Sequence, residues 1–414
     1  MLADHTPTAA SEWRANWTLV AGAMAGITLS AIATGSIGVF MGPLEAEFGW
    51  SRTEISSGPA LVSFVAMALA TVVGFAADKL GPRRIGIGAA VLMCSALAAM
   101  ATVSGNLWHW WALWVLVGVA AASMPTVWLS PVSASFSAGR GLALAVTLSG
   151  TGLTNALVPI VANYFVDGYG WREAYVAIAA IWAIVALPLV LLFFRGPRTP
   201  ARTNAHSSAP AALMGFTAHE GFRSRAFYTL AAAAFISTLA GVALILNLFP
   251  VLESTGISRG DAAWITGLMG ASTITGRLFG GWLMDRLNAG AIAAGAALIS
   301  VSLPISLLLA PGSVAAAVTC VAIFGLAGGA KVPAIAYLAG KHLGQRSFGT
   351  LYGTISAAIA LSVALGPLAA NIIYDATKSY ELVMWAAVPA LVASALLYAS
   401  LGPYPDFSRR EVPA

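Results

Sequence analysis

Charge is what this sequence has least of. Only 9% of its 414 residues are Asp, Glu, Lys or Arg, where an ordinary soluble domain carries roughly 25%. With 59% hydrophobic residues and a mean hydropathy of +0.83, its apolar surface cannot be hidden in one water-soluble core. Cysteine is nearly absent too. The two present, Cys94 and Cys320, fall inside apolar stretches, which excludes a disulfide scaffold and reads as two small buried hydrophobes. No His/Cys/Asp/Glu cluster has metal-ligand spacing, and no nucleophile–base pair or phosphate loop appears. No polar stretch is long enough for a catalytic domain. The chain is therefore expected to be neither an enzyme nor a cofactor carrier.

What is present instead is long apolar runs, each able to cross a hydrocarbon core of about 30 Å. Breaks at Pro, Gly and charge clusters give twelve spans, at 17–41, 54–77, 84–104, 108–135, 141–166, 172–195, 226–252, 260–284, 290–310, 313–339, 348–373 and 380–402. The runs are continuous rather than alternating, which excludes a transmembrane β-barrel. Backbone groups in lipid must pair internally, so the spans are expected to be helices. The first fifteen residues are polar without a cleavable signal pattern, so the first span is expected to stay as an anchor.

The net charge of +5 reports orientation rather than affinity for nucleic acid. With the N-terminus inside, Arg14, Lys79, Arg83, Arg84, Arg140, Arg195, Arg198, Arg202, Arg223, Arg225, Arg286, Lys341, Arg346, Arg409 and Arg410 are cytoplasmic, 15 of the 21 basic residues. Four, Arg52, Arg172, Arg259 and Lys378, lie outside. This asymmetry predicts both termini in the cytoplasm. Trp108, Trp110 and Trp111 cluster at the expected outer boundary, where an aromatic belt would sit.

Residues 196–225 are rich in Pro, Ser, Thr and Arg and read as a cytoplasmic linker between halves 1–195 and 226–414. A shift of 207 places Pro43, Gly49, Ser51, Arg52, Glu54, Gly74 and Asp78 on Pro250, Gly256, Ser258, Arg259, Asp261, Gly281 and Asp285. A shift of 208 places Pro159, Asn163, Asp167 and Glu173 on Pro367, Asn371, Asp375 and Glu381. So many matches at a nearly constant offset indicate two parallel repeats.

The loop "GFAADKLGPRR" (74–84) is close to the signature G-x-x-x-D-[RK]-x-G-x-[RK]-[RK], with a degenerate copy, "GGWLMDRLN", at 280–288. On this motif and the two six-helix halves, nearly the whole chain resembles the major facilitator superfamily. The resemblance implies an all-α membrane fold of twelve helices in two six-helix repeats. It also implies a monomer that binds its ligand near the midplane and exposes it to each side in turn. Asp78, Lys79, Arg83, Arg84, Asp285 and Arg286 become candidates for a cytoplasmic gate. The other reading of these bases is that they only enforce topology.

All sixteen acids fall in tails, loops or span ends, while two cations, Arg277 and Lys331, lie within spans. An ionisable group there is costly and marks function by default. Two cations without an intramembrane carboxylate call for an anionic substrate. Thr266, Gly270, Thr273 and Arg277 share one helix face, which reads as a cavity wall, with the Arg277 fork suited to a carboxylate. Lys331 shares its face with Phe324, Ala327, Gly328, Ile335 and Leu338. It aligns with Ser123 in the repeat, as Pro333 does with Pro125, so both halves are expected to break at this level. Either cation could instead snorkel to the cytoplasmic end, and Lys331 is also a candidate proton carrier. Ser30, Thr34, Asn155, Asn247 and Tyr337 are further cavity candidates, each of which could equally serve in interhelical hydrogen bonds.

The stretches 35–56 and 348–367, with Arg277 eight residues before Asp285, resemble the monocarboxylate and oxalate/formate transporter branch. In that branch an arginine at the position of Arg277 binds the substrate carboxylate. The chain departs from it at two positions tied to proton coupling in animal members, where Gly35 and Thr273 replace a lysine and an aspartate. Bacterial relatives often carry glutamate where Lys331 stands. The expectation is a plasma-membrane protein of the bacterial inner-membrane type, importing an aromatic or bulky mono- or dicarboxylate together with protons. A proton-antiport exporter of drugs or metabolites and an organic-anion exchanger are the alternatives. Against the exporter, the cavity holds no acid for a cationic drug, and the fifth span lacks a Gly-Pro-rich antiporter motif. The expected partners are a small organic anion, protons and the bilayer, with no nucleic acid.

Overall fold

The computed structural model describes residues 8–136, 139–195, 215–284, 286–344, 346–405 and 407. Asp285, Arg198, Arg202, Arg409, Arg410 and segment 196–214 lie outside the described residues, as do the side chains of Asp78, Pro125 and Arg140. The chain divides into two compact units, Met1–Thr203 and Asn204–Ala414. The described residues hold nine helical stretches long and apolar enough to cross a membrane.

In the first unit, six passes are built from α1 (Ala9–Leu29) with α2 (Ile32–Phe48), then α3 (Arg52–Leu80). Next come α4 (Pro82–Ala99), extended by a 3₁₀ turn, and α5 (Leu107–Ala121) with α6 (Met124–Ser135). The unit closes with α7 (Arg140–Tyr169) and α8 (Trp171–Phe193). The second unit opens with the short α9 (Ala218–Arg223). Its six passes are α10 (Arg225–Leu246) with α11 (Leu248–Ser254), α12 (Arg259–Met284) and α13 (Ala289–Ile299) with α14 (Ser302–Leu309). They are completed by α15 (Val314–Leu343), α16 (Phe348–Thr377) and α17 (Glu381–Ala399). Every expected span is thus a helix or a pair of helices in series.

The residues that reveal the repeat are largely punctuation. α2 ends at Gly49, whose φ of 66° suits a residue without a Cβ. The Ser51 hydroxyl then accepts from the Glu54 amide, the Glu54 carboxylate accepts from the Ser51 amide, and Arg52 pairs with Glu45 at 3.2 Å. In the second unit Gly256 has a φ of 94°. Ser258 accepts from the Asp261 amide and donates to its carboxylate, and Arg259 reaches Glu253 at 3.4 Å. The same stop, cap and ion pair are built twice.

Two sequence expectations need correction. The first concerns the tryptophans. Only Trp108, 76% exposed, faces outward; Trp110 is fully buried and donates to the Ile55 carbonyl, and Trp111 donates to Ser57. Successive residues on a helix face different ways, so one cluster serves both belt and core.

The second concerns the expected break. The first unit does break at Ala122–Ser123, between α5 and α6, but α15 runs unbroken through Pro333. The described end of the segment read as a linker packs on the second unit: the Phe216 amide donates to the Leu343 carbonyl, and Gly221 of α9 packs on Leu351. Cys94 and Cys320 are buried free thiols.

α12 and α15 form the closest seam of the second unit. A side chain at Gly276 would collide with the Leu326 carbonyl, and one at Gly329 with the Thr273 carbonyl. Gly280 faces Ala330, and Gly325 faces Ser272 and Met269. Two glycine pairs at four-residue spacing let the two backbones touch.

Candidate substrate site

Lys331 sits on α15, two residues beyond the Gly329 contact with α12, and is 8% exposed. Its Nζ donates to the Ser237 carbonyl of α10 at 3.1 Å. The Ser237 hydroxyl lies 3.3 Å from the Ala234 carbonyl and 3.4 Å from the Tyr398 hydroxyl of α17. Three helices thus meet at Ser237, which holds the ammonium on its carbonyl. An ammonium has three donors, and among the described residues only the Ser237 carbonyl takes one; no described carboxylate pairs with it. The face shared with Phe324, Ile335 and Leu338 is buried, so the lysine emerges from core rather than from a polar stripe.

Arg277 is half-buried on α12, and its backbone amide faces Gly329. The expected cavity wall of α12 is therefore partly a packing face: the Thr273 carbonyl abuts Gly329, Gly270 is buried, and Thr273 Oγ1 donates to the Met269 carbonyl at 2.8 Å. Thr266 Oγ1 is buried without a hydrogen-bond partner among the described residues. The seam fixes the backbones carrying Arg277 and Lys331 against each other within one unit.

The remaining candidates are mostly absorbed locally. Ser30, Thr34 and Ser123 donate to the Ile27, Ala31 and Ala120 carbonyls of their own chain segment. Asn155 Oδ1 faces Gly35 in the first unit. Asn247, fully buried between α10 and α11, donates to the Ala243 carbonyl and accepts from Asn371 at 2.9 Å; Tyr380 in turn donates to Asn371 at 2.9 Å. That network fastens a helix break and leaves Asn247 no share in the Lys331 cluster. Tyr337 lines a separate cavity of about 540 Å³ with Lys341, Phe348 and Tyr404.

Of the gate candidates, Lys79 Nζ lies 4.4 Å above the Phe75 ring, Arg83 donates to the Leu191 carbonyl at 2.8 Å, and Arg286 stacks on Trp282 at 4.1 Å. Arg84 is exposed.

Ser237, Gly241 and Tyr398 escaped the sequence reading. A signal was available: the shift of 207 that defines the repeat carries Ser30 onto Ser237 and Thr34 onto Gly241.

The Major Facilitator Superfamily matches residues 23–253 and 229–413. An MFS-type transporter of Gibberella moniliformis (strain M3125 / FGSC 7600) is 28% identical over 378 residues, 88% of this chain and 84% of the relative. Monocarboxylate transporter 11 of Mus musculus is 26% identical over 274 residues, 65% of this chain and 59% of the relative. Among solved structures, a bacterial homologue of the human lysosomal transporter Spinster, inward-facing and occupied, aligns with a TM-score of 0.73 at 16% identity. The alignment covers 97% of this chain and 99% of that one. With both repeats inside the matched stretches and twelve helical passes in place, this chain belongs to the Major Facilitator Superfamily, as an integral multi-pass transporter and not an enzyme.

Proposed function

We propose that this transporter carries an organic anion, an aromatic or bulky mono- or dicarboxylate, by alternating access, with Lys331 and Arg277 receiving its negative charge. One observation carries the reading. Lys331 is nearly buried on a backbone carbonyl, with no described carboxylate to neutralise it. A buried charge needs a partner, and in a transporter the cargo can be that partner. Arg277, on the helix locked to α15, offers the planar fork that suits a carboxylate. The similarity to monocarboxylate transporter 11 supports the same class. Uptake coupled to protons, a monomeric working unit, both termini in the cytoplasm and a bacterial inner membrane complete the proposal.

The test is a thermal-shift panel on purified protein with lactate, oxalate, succinate, benzoate and larger aromatic acids. Wild type, Arg277→Ala and Lys331→Ala are compared. A ligand at a hundred times its Kd stabilises the native state by about 2.7 kcal/mol. The expected outcome is a shift from at least one carboxylate that both variants lose. Shifts from neutral or cationic compounds alone, indifferent to both substitutions, would refute the anion reading.

A further inference from the structure

We infer that the gap between Gly241 of α10 and Lys331 of α15 is a carboxylate subsite, in which the charged end of the cargo lies against the ammonium and the α10 backbone. The inference rests on the organic-anion reading above and adds to it the place where the charge is held.

Glycine is an unfavourable choice in a helix interior, so a buried one needs a reason. At Gly276, Gly329 and Gly366 of this unit the reason is contact between backbones. A Cβ at Gly366 would come within 2.6 Å of the Leu239 carbonyl, and those at Gly276 and Gly329 would strike carbonyl groups outright. Gly241 is different. It is buried, yet among the described residues beyond its own stretch of helix a Cβ there would meet one atom within 4 Å, Lys331 Nζ at 3.8 Å. That is an ordinary contact, so packing alone would accept alanine. The missing side chain instead leaves room beside an ammonium.

The ammonium can use that room. Its one described acceptor is the Ser237 carbonyl, one helical turn before Gly241, and an ammonium has two further donors to give.

The repeat supplies an independent comparison. The first unit's equivalents of Ser237, Gly241 and Lys331 are Ser30, Thr34 and Ser123. There the position of Lys331 is an uncharged serine bonded to its own segment, and a threonine side chain stands where the second unit has none. The copy with the charge is the copy with the space.

The experiment places a thiol in the gap. In full-length protein with Cys94→Ala and Cys320→Ala, Gly241→Cys is treated with an anionic sulfonatoethyl and a cationic trimethylammonioethyl methanethiosulfonate. Adding Lys331→Gln should lower the anionic-to-cationic rate ratio by about tenfold or more, as expected for a charge within 4 Å. An unchanged ratio, or no reaction with either reagent while Lys331 is present, would overturn the subsite.

Should Gly241→Cys fail to fold, Gly241→Asp and Gly241→Asn give a second reading. The Asp variant should melt above the Asn variant with Lys331 in place and not with Lys331→Gln. Equal melting in both backgrounds would overturn the proposal. Neither measurement needs a known substrate. A failed subsite beside an intact carboxylate response in the thermal-shift panel therefore refutes the subsite alone. The reverse result refutes the substrate assignment alone.

Discussion

An ammonium that is 8% exposed and shares one hydrogen bond with a backbone carbonyl has surrendered hydration without gaining a counter-ion, and such a charge weakens the fold that holds it. Methionine has nearly the same length and no charge. Lys331→Met should therefore be at least as stable as wild type, by up to about 1–4 kcal/mol, the range found when buried ion pairs give way to apolar groups, while its carboxylate response disappears. Thermal unfolding with and without the stabilising acid checks both halves of this expectation; a variant that loses stability along with binding would make Lys331 a structural strut. Lys331 and Arg277 were legible in the sequence because charge is so scarce in the spans that each one stands out. Ser237 and Gly241 were not, since serine and glycine are unremarkable in a membrane helix. Only contact with the ammonium distinguishes them. The three clustered tryptophans show the same limit, because residue type gives amphipathicity but not which way a ring turns.

Helices show their meaning in pairs. The α12–α15 seam depends on Gly276, Gly280, Gly325 and Gly329, and since α12 also carries Arg277 and α15 Lys331, the seam sets the spacing of both cations. Gly329→Ala drives a methyl into the Thr273 carbonyl and the Arg277 amide and should cost about 1–3 kcal/mol, as overpacking usually does. Gly328→Ala, one residue away, meets nothing within 4 Å and should leave the melting temperature unchanged or slightly raised. Equal effects from the two would dismiss the seam.

The existence of helices was easy to read, because length and apolarity suffice in lipid, but their continuity was not. Pro333 sits in an unbroken α15, where the loss of one backbone donor is tolerated because neighbouring helices hold the chain in place. Helix ends were less legible than helices: apolarity closed the first span at 41, whereas α2 runs on to Phe48 before Gly49 stops it. The end of α16 carries no glycine at all, since Lys378 takes the left-handed cap itself, with a φ of 54°.

On the scale of the whole molecule, two units of similar build follow each other along the chain, and their basic residues are spread unevenly between the two sets of loops. The 15-to-4 count of loop bases predicts one orientation for every pass. A reporter active only in the cytoplasm should work when fused after Phe407 or inserted in segment 196–214. A reporter active only outside should work in the loops at Arg172 and Lys378. Activity of the outside reporter after Phe407 would invert the orientation.

The correspondence between the units also separates two kinds of residue. Gly49 and Gly256, Ser51 and Ser258, and the ion pairs Arg52–Glu45 and Arg259–Glu253 recur in both units. Lys331 faces Ser123 across the correspondence, and Arg277 faces Ala70. Duplication of an ancestral half would have begun with every residue in two copies. What builds the helices stands in both units, while what carries charge in a helix interior stands in one. A cargo whose charge rests on Lys331 and Arg277 would therefore load one half of the molecule and leave its counterpart without an equivalent grip.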